Sequence, residues 1–315
     1  MSNKTFRGER IISLFFVLNL GITTHLISNS SSETEPPIMS EFSDESNEDI
    51  RSRLNSLEKV IEFKIDKRVR YFIKSYLESG RKSTEHILGR SSIYFPIIEE
   101  YLELYHVPDQ LKYLAVVESG LQPTTTSKVG AAGLWQLMPA TAKQYGLRIN
   151  SYVDERLDVH RSTEVAIRYL SELYARYDDW ALAIAAYNCG PGRVDNALKK
   201  SKRHTFSAVK KRLPKETQRY VEKFIAVNYA INNYLFYDIH PKYPDYNIQM
   251  THVNKIFKRK SFRQIAKETG ISIRVISKLN PSYIKDIIPP NKHGYYLILP
   301  NIGLTTSITK QISDL

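Results

Sequence analysis

From about residue 51 to 235, apolar residues recur at helical intervals and strand-like alternation is scarce. RSRLNSLEKVIEFKIDKRVRYFIKSYLESG predicts one or two amphipathic helices ending at Gly80, and SIYFPIIEEYLELYHV predicts another. Pro108 sits at a favourable first-turn position for a helix through PDQLKYLAVVES. RSTEVAIRYLSELYARY (161–177) predicts a long helix, and Asp178 or Asp179 can cap DDWALAIAAYN, which stops at Gly190. KETQRYVEKFIAVNYAINNYLF (215–236) closes the helical set. After HPKYPDY the texture changes. QMTHVNKIF predicts a strand, Ser261 and Ser272 can cap two short helices, and GYYLILP (294–300) predicts a closing strand. The expected fold is therefore mainly α, with a small separate α+β module of βααβ order.

The ends read differently. MSNKTFRGER is basic, IISLFFVLNLGI (11–22) is apolar, and Ser28-Asn29-Ser30 offers small residues for cleavage, a secretory pattern. Residues 31–50 carry seven acids and no base and are rich in serine, as a solvated linker would be. The predicted organisation is a signal peptide or anchor (1–30), an acidic linker (31–50), an N-terminal helical segment (51–104), a main helical domain (105–238), a linker (239–248), the small module (249–301) and a tail (302–315). These expectations place the protein in the periplasm or cell envelope, with membrane association through the N-terminal segment.

Charge and cysteine use narrow the chemistry. The chain carries a net +12, but residues 51–315 alone carry +17, which suits a polyanionic partner. Export argues for a wall polymer or lipid rather than nucleic acid. One cysteine excludes a disulfide framework and any multi-cysteine metal site. The eight histidines never fall at i, i+4, and no Gly-rich phosphate loop or serine nucleophile elbow is present. No metal and no cofactor is expected.

Glu118 stands out. Leu111, Leu114, Ala115 and Glu118 follow i, i+3, i+4, i+7 and share one helix face. A carboxylate on an apolar face at a helix C-terminus is disfavoured as an anion by desolvation and by the helix dipole, so its pKa rises as a general acid requires. On spacing alone, a structural glutamate paired with Arg or Lys is the commoner outcome. Residues 119–153 contain no Asp or Glu. Two-carboxylate glycoside chemistry would have to recruit Asp154, Glu155, Asp158, Glu164 or the distant Glu216. A one-carboxylate route using the substrate's own groups is the alternative. Gly130, Gly133 and Gly146 surround Trp135, Gln136 and Met138; they suit either close approach of a ligand or a tight helix–loop crossing. Tyr187 can reach a ligand or simply end a helix.

Taken in order, these pieces resemble family 1 lytic transglycosylases, with their goose-lysozyme-like SLT domain. Glu118-Ser119 is followed by Ser127, then G-A-A-G-L-W-Q-L-M-P (130–139), A-Y-N-C-G-P-G (186–192) and E-T-x-x-Y-V (216–221). The similarity covers about 105–235, and the helices from 56 onward look like the preceding segment of membrane-bound D-type members. The last module resembles LysM through S-F-R-Q-I-A-K-E-T-G, S-K-L-N-P (277–281) and Y-Y-L-I-L-P, although Lys258-Arg259-Lys260 replaces the usual Gly-Asp-Thr.

The resemblance implies cleavage of the β-1,4 bond between N-acetylmuramic acid and N-acetylglucosamine in peptidoglycan, without water, leaving 1,6-anhydro ends. It makes Glu118 the single catalytic acid and then base. Ser127, Gln136, Met138, Tyr187 and Glu216 become substrate-binding residues, Asn188 supports the fold, and Cys189 is a buried free thiol. The alternatives are a hydrolytic goose-type lysozyme, in which a second carboxylate activates water, and a non-catalytic wall-binding protein.

Overall fold

The computed structural model describes Phe42 and residues 45–301. The N-terminal signal expectation and the tail 302–315 lie outside the described residues. Among the described residues, no helix is long and apolar enough to cross a membrane.

Folding begins earlier than the acidic composition suggests. Helix α1 (Asn47–Arg53) opens with a capping box in which Ser46 and Asp49 satisfy each other's backbone N–H groups. Ile50 is wholly buried, and Phe42 packs edge-on against Tyr229. The linker expected over 31–50 is thus corrected at its C-terminal end, because a cap and two apolar anchors outweigh the local charge. The helices expected before Gly80 are also more broken than the periodicity implies: α1, a single turn (Asn55–Glu58), an extended stretch, then α2 (Lys67–Lys74) capped by Asp66.

α3 (Arg81–Leu104) runs 24 residues with Pro96 inside it. The helix expected from Pro108 splits. A 3-10 turn (Asp109–Lys112) precedes α4 (Tyr113–Ser119), with Pro108 extended at ψ 135°. Leu111 therefore belongs to the turn, yet Leu111, Leu114 and Ala115 are all fully buried as the face pattern required. A short α5 (Pro139–Gln144) follows. α6 (Val159–Tyr177) is capped by Asp158 and α7 (Trp180–Cys189) by Asp179. Every residue of α7 from Trp180 to Ala186 is buried, as an all-round apolar helix must be at the centre of a domain. α8 (Pro191–Lys199) and α9 (Lys215–Asn232) complete the body, and α9 packs on α2, α4 and α7.

The connection through 239–248 has no long regular element, but it is pinned. Ile239 and Ile248 are buried, and the Lys242 N–H donates to the Glu85 carbonyl at 2.8 Å. The last module follows the expected order with one addition. β1 (Thr251–Ile256) pairs antiparallel with β4 (Tyr295–Pro300), Thr251 opposite Pro300; a two-residue pair, β2 (Lys260–Ser261) and β3 (Ile287–Ile288), is inserted between them. α10 (Phe262–Thr269) and α11 (Ile273–Leu279) are capped by Ser261 and Ser272. Buried Asn280 of the S-K-L-N-P run exchanges two hydrogen bonds of 2.7 Å with Ile298, so its amide acts as a strand partner for β4. The core of this module holds Phe262, Ile265, Ile276 and Leu297, and also Val153, which comes from the helical body.

Candidate active site

α4 ends one residue after Glu118 for identifiable reasons. Gly120 adopts a left-handed φ of 60°, its N–H returns to the Val116 carbonyl, and its own carbonyl accepts from Arg90 Nε at 2.9 Å. Buried Ser119 fixes the helix end to the next loop. Its hydroxyl donates to the Leu134 carbonyl at 2.8 Å and accepts the Gln122 N–H at 3.1 Å. Glu118 is thereby held half-buried at a fixed helix terminus.

No arginine or lysine among the described residues bonds Glu118. Its hydrogen-bond partner is the Tyr220 hydroxyl, which donates to Oε1 at 2.6 Å. Burial pushes the carboxyl pKa up to about 7; the Tyr220 bond pulls it down, and the negative charge of Glu216 adds to the rise. Glu118 therefore lacks the Arg or Lys partner of the structural alternative and holds its proton towards neutral pH. Tyr220 and Tyr187 are both held well above the usual phenol range, first by burial and then by the Glu118 charge, so both stay neutral donors.

The loop 125–138 forms the neighbouring wall. The Ser127 hydroxyl oxygen accepts the Ala131 N–H at 3.0 Å, which leaves its own O–H available to donate. Gln136 has a left-handed φ of 46°, rare for a side chain of its size. Its amide nitrogen donates to the Thr125 and Gly133 carbonyls at 3.0 and 2.9 Å, leaving the amide oxygen free to accept. Gly133 allows this crossing, since a Cβ there would lie 1.9 Å from the Arg156 carbonyl oxygen. Trp135 is buried and donates to Thr163, and the Tyr187 hydroxyl donates to its carbonyl at 2.8 Å. Met138 is 43% exposed at the loop's end.

The structure thus brings Tyr187 and Glu216 within electrostatic influence of Glu118 and hangs Ser127, Gln136 and Met138 on one loop tied to α4 by Ser119. Glu216 is exposed on the first turn of α9. Asn188 accepts the Thr217 hydroxyl at 2.8 Å and links α7 to α9. Cys189 is half-buried rather than buried, because it is the last residue of α7, where Gly190 breaks the helix before α8; burial still raises its thiol pKa. Sequence reasoning missed Tyr220. The signal was present, since Tyr220 is the tyrosine of E-T-x-x-Y-V and lies one turn beyond Glu216. Two hollows of about 360 and 460 Å3 open elsewhere, beside Trp180 and beside Leu198; neither contains a residue of this constellation, so chemistry rather than cavity size marks the site.

Residues 95–210 match the family model for the transglycosylase SLT domain, and residues 251–307 that for the LysM-like domain of lytic transglycosylase MltD. Over 217 residues the chain is 32% identical to membrane-bound lytic murein transglycosylase D of Escherichia coli K12, covering 68% of this chain and 47% of that protein. It is 30% identical over 171 residues to membrane-bound lytic murein transglycosylase F of Pseudomonas putida, covering 46% of this chain and 34% of that one. Among solved structures, the 70 kDa soluble lytic transglycosylase SLT70 of Escherichia coli is 28% identical, covers 45% of this chain and 24% of its own, and has a TM-score of 0.39. Residues 95–210 are thus an SLT transglycosylase domain, and an MltD-type LysM-like domain follows it. The chain is homologous to Escherichia coli membrane-bound lytic murein transglycosylase D and spans about half the length of that protein.

Proposed function

We propose that this chain is a peptidoglycan lytic transglycosylase of the cell envelope, with Glu118 as its only catalytic acid and base. The observation that carries the reading is a half-buried carboxyl, free of any cation among the described residues, whose proton is retained up to about pH 7. Protonated Glu118 gives its proton to the oxygen between N-acetylmuramic acid and N-acetylglucosamine. The C1–O bond breaks and its electron pair leaves with that oxygen. The substrate's N-acetyl carbonyl supports the electron-poor C1. The Glu118 carboxylate then takes the proton of the muramoyl 6-hydroxyl while that oxygen bonds C1, closing the 1,6-anhydro ring and restoring the acid.

The surrounding residues fit these steps. Tyr220 occupies Oε1, which leaves the other carboxyl oxygen to carry the transferred proton, and its donated bond steadies the carboxylate between the steps. The available Ser127 O–H suits the N-acetyl oxygen, and the free Gln136 amide oxygen suits a sugar hydroxyl or amide N–H. Met138 and Tyr187 supply apolar and aromatic contact for sugar rings, and Glu216 accepts from sugar hydroxyls. The +17 body complements an anionic wall polymer.

A second reading, hydrolysis, draws on Glu216, the carboxylate whose charge acts on Glu118. Mass spectrometry of muropeptides released from sacculi tests both. We expect products one water lighter than reducing-end fragments, and a loss of about 10²- to 10⁴-fold in turnover for Glu118→Gln. Reducing-end products that vanish in Glu216→Gln would establish hydrolysis instead, and unchanged lysis by Glu118→Gln would remove Glu118 from the site.

A further inference from the structure

The hairpin 148–156 joins the two modules and touches the substrate loop, and the assigned function uses none of its residues. At its tip, Val153 is 1% exposed and buried in the LysM-like core. The backbone on both sides continues the contact. The Asp154 N–H donates to the Ser282 carbonyl, and the Ile284 N–H to the Tyr152 carbonyl, both at 2.9 Å. Arg148 lies 4.2 Å over the Tyr295 ring while pairing with Glu155 at 2.8 Å.

The other side of the same hairpin faces the active-site loop. Arg156 is buried and grips Asp154 with two bonds, Nε to Oδ1 at 2.9 Å and Nη2 to Oδ2 at 2.7 Å. Its remaining nitrogen, Nη1, donates to the Gly130 carbonyl at 2.6 Å and the Leu137 carbonyl at 3.2 Å. These carbonyls bracket the segment that carries Trp135 and Gln136. Gly133 closes on the Arg156 backbone with no room for a side chain. A planar guanidinium that spends one edge on a carboxylate and the other on two carbonyls is a rigid link, because its donors are fixed in one plane.

We infer that Asp154 and Arg156 are positioning residues through which the docked LysM-like module holds the Gly130–Leu137 loop, and with it Gln136, in its working geometry. The module is then a structural part of the catalytic site as well as any wall-binding element it provides. This rests on the reading of Gln136 as a sugar contact, but the mechanical link itself does not. Releasing Val153 from the module frees Asp154, whose N–H anchors on Ser282; a loosened Asp154 carboxylate no longer aims Arg156 at the two carbonyls, and the loop shifts.

The test uses the full chain carrying Trp180→Phe, so that Trp135 is its one remaining tryptophan. Val153→Asp places a charge in the module core and undocks it, Val153→Ile keeps an apolar plug, and Arg156→Lys leaves docking intact but removes the fork. Three quantities are read: the emission maximum of Trp135, amide exchange of peptides over 128–138, and turnover of a soluble peptidoglycan fragment two disaccharides long alongside intact sacculi. We expect Val153→Asp and Arg156→Lys to red-shift Trp135, speed exchange across the loop and lower kcat on the short fragment by roughly ten- to a hundredfold. Val153→Ile should match the parent.

An adhesive module predicts otherwise. Loss confined to sacculi, with unchanged emission, loop exchange and short-fragment turnover in a folded Val153→Asp protein, overturns the inference. If Val153→Asp fails to fold by circular dichroism, Arg156→Lys decides alone, and its parent-like behaviour in all three readouts overturns it. A parent that turns over neither substrate refutes the proposed function but not the link, which emission and exchange still decide.

Discussion

Two regions bury carboxylates under opposite rules. At the end of α4, Glu118 meets a tyrosine hydroxyl and, among the described residues, no cation. In the hairpin 148–156, Asp154 and Glu155 are buried as deeply or more so, at 8% and 3% exposure, and each is matched by an arginine, Arg156 and Arg148. Desolvation alone makes an anion costly. A bidentate guanidinium offsets that cost and yields a fixed strut, whereas a neutral donor offsets it only in part and leaves the proton in place. Identical side-chain chemistry therefore gives a strut in one region and a proton-retaining carboxyl in the other, and the difference lies in the partner rather than in burial.

The comparison can be broken hardest at Arg156. Arg156→Ala leaves Asp154 buried without its cation and strips a donor from the Gly130 and Leu137 carbonyls. Removing one member of a buried pair costs about 3–5 kcal/mol. In a chain of this size that lowers the thermal midpoint by about 10 °C, which calorimetry at neutral pH would register. A shift within one or two degrees would mean that the strut is relaxed by water and that the contrast with Glu118 is only geometric.

Much of this was legible in the chain, and the part that was not has a physical cause. The all-apolar run of α7, the Asp179 cap and the Ser261 capping box are local signals, and each appears where its residues place it. Glu118 at the end of a helix with a buried face was equally local, even though Pro108 opens a 3-10 turn instead of the helix itself. Tyr220 lies 102 residues from Glu118, so its hydrogen bond exists only once α4 and α9 pack together. The DERLD run offers in isolation only spare carboxylates at Asp154, Glu155 and Asp158. Its burial follows from the module that lands on Val153 and from the loop that crosses Gly133, both remote in sequence. The acidic stretch before α1 misled for a related reason, since Phe42 and Ile50 take their partners from the helical body.

The next effect is smaller and of opposite sign. A carboxyl raised from 4.5 to about 7 is destabilising when ionised, by at most about 3 kcal/mol and nearer about 2 kcal/mol with solvent contact. The folded state binds the proton more tightly than the unfolded chain. The penalty is therefore absent below about pH 4.5, grows between there and about pH 7, and is full above it. Glu118→Gln removes the charge while keeping an acceptor for Tyr220. We expect it to be more stable than the parent in denaturant titrations at pH 8, with the gain fading towards pH 4.5. A loss of stability at pH 8 would place Glu118 among the structural carboxylates, beside Asp154.

The finest test moves the proton without removing it. Two neighbours pull the Glu118 pKa in opposite directions: the Tyr220 hydroxyl lowers it by bonding the carboxylate, and the Glu216 charge raises it. Tyr220→Phe therefore shifts the alkaline limb of the pH profile of kcat/KM upwards from about pH 7, and Glu216→Gln shifts it downwards. Each displacement should be about a pH unit or less, the size expected of one hydrogen bond or one partly screened charge. Tyr220→Phe should also slow the reaction at its optimum, since the carboxylate formed after the first proton transfer loses its donor. Raised salt should shrink the Glu216→Gln displacement and leave that of Tyr220→Phe in place, because a charge acting through solvent is screened and a 2.6 Å hydrogen bond is not. A limb that ignores both substitutions would mean that another group sets the pH dependence, and the region around α4 would lose its claim to differ from the hairpin.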